Sequence, residues 1–303
     1  MSLTTFSRER AVAHMGRDAD LPSKITVPTF LEKKTLRRPI TAVTAYDYAS
    51  ARLVDEAGLD VLLVGDSLAM VMQGHENTLA VTMDEMLLYT RGVRRGVKRA
   101  LLVADMPFGS YTDAHEGVAN AVRFVKEAGA EAVKLEGGRE RAELVRRVVD
   151  AEIPVMGHLG LTPQSVHRMG GYKVQGKTME AIDALRTDAM ALEEAGCFAL
   201  VLEGVPRELA RIVTEELRIP TIGIGAGPDC DGQILVLHDI MTMTFSKPAK
   251  FVRRYADVGG LMQTALGEYK RDVEARTFPS DAESYHLSRE MRELMGEASE
   301  VVG

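Results

Sequence analysis

A chain of 303 residues, 46% hydrophobic and 27% charged, can form one large α/β domain or two ordinary ones, and this balance excludes a disordered or fibrous protein. A net charge of −7 without clustered Lys and Arg argues against a nucleic-acid surface, and apolar runs such as Val61 to Val64 and Ala199 to Leu202 are too short to cross a bilayer. The N-terminus mixes Arg8, Glu9, Arg10, Arg17, Asp18 and Asp20 where a signal peptide needs an apolar stretch, so a cytoplasmic protein is expected. Cys197 and Cys230 lack metal-ligand spacing and are expected as thiols, as a reducing compartment would keep them.

Residues 1–24 are polar, show no clear period and read as an N-terminal extension. From Ile40 a rhythm begins of short, β-branched apolar runs, most of them followed by an amphipathic pattern of helical period. The runs are Ile40 to Tyr46, Val61 to Gly65, Ala100 to Ala104, Ala132 to Leu135, Pro154 to Leu159, Phe198 to Leu202, Thr221 to Ile224 and Gln233 to His238. They are apolar throughout, which suits parallel strands buried on both faces. Helices are predicted over Tyr48 to Ala57, Met83 to Gly96, His115 to Ala128, Glu140 to Ala151, Met179 to Ala195 and Arg207 to Leu217, several of them stopped by Ala-Gly. Eight strands alternating with helices predict a (β/α)8 TIM barrel, with residues 25–303 as a single catalytic domain. One join is weak, because Ala226 to Gly232 is too short for a full helix. That leaves a helical eighth segment or an open doubly wound sheet as alternatives, although the glycine fingerprint of the latter is missing after the first strand. Beyond Phe245 the tail reads as helices covering the outside, interrupted at Pro279.

In such a barrel the loops at the carboxyl ends of the strands surround one mouth, and there the chemistry gathers. Six runs end in an ionisable residue: Asp47, Asp66, Asp105, Glu136, His158 and Glu203. Any one of them alone is most simply a strand-end cap or a solvated carboxylate. Five carboxylates converging on one rim repel one another unless a cation or a function compensates. Asp66, Asp105 and Glu136, on adjacent strands, suit a hard divalent cation with oxygen ligands. Without a Cys/His cluster that cation is Mg²⁺; a metal-free carboxylate network is the alternative. Lys134 lies two residues before Glu136 and therefore on the same side of the strand. It reads as a partner for a substrate anion or for the carboxylates, since three nearby acids keep it protonated and a poor Schiff-base nucleophile. Glu203, flanked by Leu200 to Leu202 and by Val205-Pro206, reads as a desolvated carboxylate with a raised pKa, or else as a helix-start carboxylate. His158 is a substrate contact, a second candidate base or a packed histidine. The loops Gly223 to Gly227, Gly170-Gly171-Tyr172 and Gln73-Gly74-His75-Glu76 read as a weak phosphate-loop signal and as lids or ordinary turns.

Taken in order, these segments resemble the ketopantoate hydroxymethyltransferase family. The likeness runs from about Ile25 to Phe251. It is carried by Thr44-Ala45-Tyr46-Asp47, Leu63-Val64-Gly65-Asp66-Ser67, Gln73-Gly74-His75, Lys134-Leu135-Glu136-Gly137-Gly138, Gly157 to Ser165, Gly170 to Gly176, and Gly223 to Gly227 with Asp231-Gly232-Gln233. Two departures are glycine at position 204, where some members carry cysteine, and a longer N-terminus.

The resemblance implies Asp66, Asp105 and Glu136 as Mg²⁺ ligands, Asp66, Ser67, Asp105 and Lys134 as contacts of a 2-oxo acid, and Glu203 as the proton acceptor. It implies 5,10-methylenetetrahydrofolate as hydroxymethyl donor, 3-methyl-2-oxobutanoate as acceptor, a place in pantothenate biosynthesis, and a large homo-oligomer, commonly a decamer. No nucleic-acid or membrane partner is expected. A magnesium barrel of the phosphoenolpyruvate mutase and isocitrate lyase type is the enzymatic rival, weakened by the lack of a Lys-Lys-Cys-Gly-His-like loop; a sensor or scaffold barrel is the non-enzymatic one.

Overall fold

The computed structural model describes residues 23–295, so the expected extension lies outside the described residues except for its last two positions. Eight parallel strands close into a barrel in sequence order, β1 through β8. They are Ile40–Thr44, Val61–Val64, Leu101–Asp105, Ala132–Glu136, Val155–Gly160, Ala199–Glu203, Thr221–Ile224 and Gly232–Leu235. The predicted runs fall on these strands with ends displaced by one or two residues. The eighth is the exception, because it stops at Leu235 and His238 stands on a short helix, Leu237–Ile240.

The weak join is resolved in favour of closure. β7 passes to β8 through a loop without a helix, and β8 pairs with β1 from Ile40↔Gly232 to Val43↔Leu235. Asp231 secures that loop by accepting hydrogen bonds from the Thr221 backbone N–H and from Lys34 Nζ, each at 2.9 Å.

Alternation along each strand divides the apolar residues into two shells. Outward side chains such as Leu62, Leu102, Val133, Leu135, Leu200 and Leu202 pack beneath the helices. Inward ones such as Ile40, Val61, Leu101, Val103, Ala132, Met156, Val201, Ile222 and Ile234 fill the lower barrel. Both shells are apolar, which is why the strands read as unbroken runs rather than alternating ones. The main outer helices are α1 (Val27–Thr35), α2 (Tyr48–Glu56), α3 (Met83–Arg94), α4 (Ala114–Ala128), α5 (Ala142–Asp150), α6 (Met179–Glu194) and α7 (Arg207–Glu216).

Helix α1 belongs to the floor of the barrel. Its one buried residue, Phe30, is wholly enclosed and meets Phe198 edge-on, ring centroids 5.3 Å apart. Lys33 and Lys34 anchor it to Asp60 at 2.6 Å and to Asp231 at 2.9 Å. Asp60 also accepts from Thr41 N and Oγ1 and faces Arg99 Nη2 at 3.3 Å. Burial raises the Asp60 pKa, but Lys33 and Thr41 outweigh it and hold the carboxyl below its usual range.

The chain divides into two compact units: one runs to Ile240 and includes Thr244–Arg253, and the other holds Met241–Met243 and the residues from Arg254 on. In the second, helices Val258–Glu274 and Arg289–Leu294 flank Pro279 and contain no buried residue. No helix among the described residues is long and apolar enough to cross a membrane.

Phe30 seals the floor away from the mouth, so Phe30→Ala should cost stability and spare chemistry. Urea unfolding is expected to show a loss of about 3–5 kcal/mol, with turnover per folded molecule unchanged. A loss below about 1 kcal/mol would contradict this role for α1.

Candidate active site

All eight strands point the same way, so their carboxyl ends meet at one face. β3 ends on Asp105, β4 on Glu136 and β6 on Glu203. On β4, Ala132, Lys134 and Glu136 face inward while Val133 and Leu135 face the helices. The inward rows change from apolar at the floor to ionisable at the top. Parallel register then sets Asp105 beside Lys134, Glu136 beside His158 and Gly160 beside Glu203. Gly160 has φ +92°, and a Cβ there would lie 2.3 Å from the Glu203 carbonyl oxygen, so only glycine lets β5 and β6 approach at this point.

The ionisable groups form a continuous line. The Asp66 backbone N–H donates to Asp105 Oδ2 at 3.2 Å, and Lys134 Nζ donates to both Asp105 oxygens at 2.8 Å. Lys134 Nζ lies 3.8 Å from Glu136 Oε1. His158 stands between two carboxylates, Nδ1 at 3.4 Å from Glu136 Oε1 and Nε2 at 3.3 Å from Glu203 Oε2. These last contacts are ion pairs without hydrogen-bond geometry, since Glu136 Oε1 and both His158 nitrogens are buried without a hydrogen-bond partner.

Burial, then the charges of Asp105 and Glu136, push Asp66 well above the ordinary carboxylate range. Burial and Glu136 also raise Asp105, although Lys134 pulls it back. For Lys134, burial alone would favour the neutral amine, but Asp105, Glu136 and Asp66 prevail and hold the ammonium more firmly than usual. Burial raises Glu136 too, yet His158 and Lys134 outweigh it and keep the carboxyl low. Burial and Lys134 oppose a proton on His158, but Glu136 and Glu203 win and lift it to about 9. The two carboxylates on either side thus favour the protonated ring. Glu203 keeps only 15% of its side chain exposed and faces this cation instead of wholly apolar surroundings.

Along this line the carboxylates of Asp66, Asp105, Glu136 and Glu203 outnumber the two cations they meet, Lys134 and His158. The donor set thus fits a divalent cation in charge and in oxygen type. Among the described residues, no three Asp, Glu, His or Cys side chains close into an ion-binding group as they stand.

Above this line opens a cavity of about 1140 Å³ lined by Asp66, Ser67, Asp105, Lys134, Glu136, His158 and Glu203 together. Asp47 does not line it. Its carboxylate caps α2 by accepting from the Ser50 backbone N–H at 2.9 Å, the ordinary strand-end role. Ser67 Oγ bonds Tyr46 Oη at 2.8 Å, and burial raises the Tyr46 phenol. The glycine loops reach the mouth as well: Gly74, His75, Tyr172 and Gly225 line the cavity. Gly225, at φ +63°, leaves room for Phe251, whose ring a Cβ would meet at 2.6 Å.

Sequence reasoning missed Gln164 and Tyr111. Gln164 donates from Nε2 to Asp66 Oδ2 at 2.9 Å and from its backbone to Glu136 Oε2 at 3.0 Å, and Tyr111 Oη donates to Gln164 Oε1. Polar residues in a loop directly after a strand end are the signal that points to them, but no periodicity shows which loop residues turn inward.

Ionisable groups sealed at the carboxyl ends of parallel strands define a barrel enzyme with acid–base chemistry at its mouth. The profile of the family described as ketopantoate hydroxymethyltransferase matches residues 24–281. With that span matched, the chain belongs to the ketopantoate hydroxymethyltransferase family. The 3-methyl-2-oxobutanoate hydroxymethyltransferase of Koribacter versatilis is 62% identical over 272 residues, 89% of this chain and 92% of the relative. That of Anaeromyxobacter dehalogenans is 56% identical, covering 87% and 88%. Among solved structures, phosphonopyruvate hydrolase in complex with oxalate and Mg²⁺ superposes with TM-score 0.59 at 16% identity, covering 90% of this chain and 96% of that one. A 2,3-dimethylmalate lyase of the PEP mutase/isocitrate lyase superfamily reaches TM-score 0.54 at 17% identity, covering 90% and 99%. At such identity these structures share the fold alone.

The raised His158 value carries a sign. Because it lies above the ordinary 6.5, His158 adds stability in full below that pH and loses it as pH rises through about 9. In metal-free protein, NMR should place the imidazole titration near pH 9; a midpoint at or below 6.5 would remove the imidazolium from the site.

Proposed function

We propose that this chain is a Mg²⁺-dependent 3-methyl-2-oxobutanoate hydroxymethyltransferase. It takes the hydroxymethyl group from 5,10-methylenetetrahydrofolate and gives 2-dehydropantoate, in the cytoplasm, as a step of pantothenate biosynthesis. Relatives carrying that enzyme name are 51–62% identical over most of the chain. The observation that carries the reading is the crowding of Asp66, Asp105 and Glu136 round the one ammonium of Lys134, with Glu203 at the far end of the same line. A cavity of about 1140 Å³ exceeds the need of a five-carbon oxo acid and leaves room for a larger second reactant.

Asp66 and Asp105, with Glu136, would hold the cation. Mg²⁺ keeps several waters and needs only one or two direct carboxylates, so a closed cage of three is not required. When bound, it supplies a Lewis acid that polarises the 2-oxo group and makes the C3 proton more acidic. Ser67 and Lys134 orient the oxo acid, and the Lys134 ammonium faces the negative charge that develops on the oxo oxygen. Glu203 accepts the C3 proton. His158, already protonated, holds the Glu203 carboxylate in place and is no competitor for that proton. The C3 carbanion bonds to the donor's methylene carbon, and water's oxygen joins the same carbon as both of its C–N bonds break. Water's two hydrogens go to the two nitrogens of the leaving tetrahydrofolate, and the proton taken by Glu203 ends on the new hydroxyl.

Assembly into a homo-oligomer belongs to the same proposal; Leu53, Leu88 and Met179 are large apolar residues left exposed. Light scattering is expected to give a multiple of the 33.1 kDa chain, and a monomer at micromolar concentration would count against it.

With Mg²⁺ the protein should form 2-dehydropantoate from the two substrates, and with EDTA it should not. Without folate it should still exchange the C3 proton for deuterium, since that half-reaction needs only the oxo acid. Glu203→Gln should slow exchange at least about a hundredfold, the low end for a positioned base, with little change in oxo-acid affinity. His158→Gln should slow it less. NMR in D₂O follows the C3 signal. Wild-type exchange in Glu203→Gln with loss in His158→Gln would transfer the base to His158.

A further inference from the structure

Gln164 takes no part in the chemistry above, yet it is 7% exposed and bonded on every side. It lies in the tight turn Pro163–Ser165 that follows β5. Its amide can face only one way. The Met106 carbonyl, an acceptor without a proton, receives Nε2–H at 3.0 Å, so the NH₂ end must lie on that side, where it also meets Asp66 Oδ2. The opposite end, Oε1, accepts the Tyr111 hydroxyl. Tyr111 is itself held: its oxygen faces the Glu136 backbone N–H at 3.4 Å, and the Arg141 guanidinium covers its ring at 5.0 Å.

Two carboxylates are thereby treated alike. Gln164 donates to one oxygen of each, Asp66 Oδ2 through its side chain and Glu136 Oε2 through its backbone. Among the described residues no hydrogen bond reaches the second oxygen of either; Glu136 Oε1 is buried and meets only the charges of Lys134 Nζ at 3.8 Å and His158 Nδ1 at 3.4 Å. A carboxylate rotates over a broad, two-fold torsional range, and like charges this close drift apart unless something fixes them.

We infer that Gln164, oriented by Tyr111, is a positioning residue. It fixes one oxygen of Asp66 and one of Glu136, so that the other oxygen of each, held by no hydrogen bond, can turn to a divalent cation. At Glu136 that cation competes with the charges of His158 and Lys134. The inference rests on the Mg²⁺ reading proposed above. Outer partners of metal-ligand carboxylates typically govern affinity by 10–100-fold.

The test is calorimetric titration of the full chain with MgCl₂. Gln164→Met keeps the length and removes the amide, and should weaken Mg²⁺ binding at least about tenfold; saturating Mg²⁺ should restore most of kcat. Tyr111→Phe removes one hydroxyl from an otherwise unchanged ring and should weaken binding about threefold to tenfold. The double variant should be no weaker than Gln164→Met, because without the amide Tyr111 has nothing to orient. A merely structural role predicts additive losses that excess Mg²⁺ does not reverse, and that result overturns the inference. So does unchanged affinity in Gln164→Met while the wild type binds, a result that leaves the Mg²⁺ reading standing. A wild type that binds no Mg²⁺ at millimolar concentration removes that reading and this inference with it. Should Gln164→Met fail to fold, Tyr111→Phe decides alone, and wild-type affinity there overturns the inference.

Discussion

Burying an ammonium among carboxylates is tolerable only when each offsets the desolvation of the other, and the mouth of this barrel depends on that condition at Lys134. The side chain is 4% exposed and donates to both oxygens of Asp105, with Glu136 at 3.8 Å. Truncating one partner of such a pair would leave an uncompensated charge at a cost of about 3–5 kcal/mol. Lys134 balances one acid, and His158 in its protonated form balances a second. Among the described residues Asp66 has no ion-pair partner, and burial beside Asp105 and Glu136 makes its proton hard to remove. A divalent cation and an anionic substrate are the natural completion of a site left in this state.

The same residue type behaves differently at the two ends of the barrel. At the amino ends of the strands Asp60 meets Lys33, Arg99 and Thr41, and Asp231 meets Lys34 and Thr221. Asp55, at the end of α2, accepts the backbone N–H groups of Lys98, Arg99 and Ala100. These acids are fully satisfied and serve the closure of the floor. At the carboxyl ends, acids outnumber cations, and Glu136 Oε1 is left without a hydrogen bond. One end of the barrel is closed by satisfied ion pairs, and the other gathers its acids round Lys134 and His158.

Tyr111, Gln164 and Arg141 lie outside the row of strand-end charges and come from loops. Gln164 donates to Asp66 and Glu136, Tyr111 donates to Gln164, and Arg141 reaches only Tyr111, through its carbonyl and its ring.

By itself, the amino-acid sequence determined the eight-strand rhythm, the burial of both strand faces and the polar residue at the end of most strands. Those are local properties of period and of residue type. It also carried the pairing of Lys134 with Glu136, because a two-residue step on a strand returns to the same face. It did not determine which strand-end acids enter the site. Asp47 ends its run as Asp105 does, yet the first became the cap of α2 and the second bonded Lys134 across the sheet. That choice depends on register between strands and on the turn each loop makes. The charge on His158 was equally undecided, since it follows from two carboxylates supplied by different strands, 22 residues before it and 45 after it. Gln164 stayed hidden for the same reason: only closure of the barrel brings the loop after β5 against Asp66, 98 residues earlier in the chain.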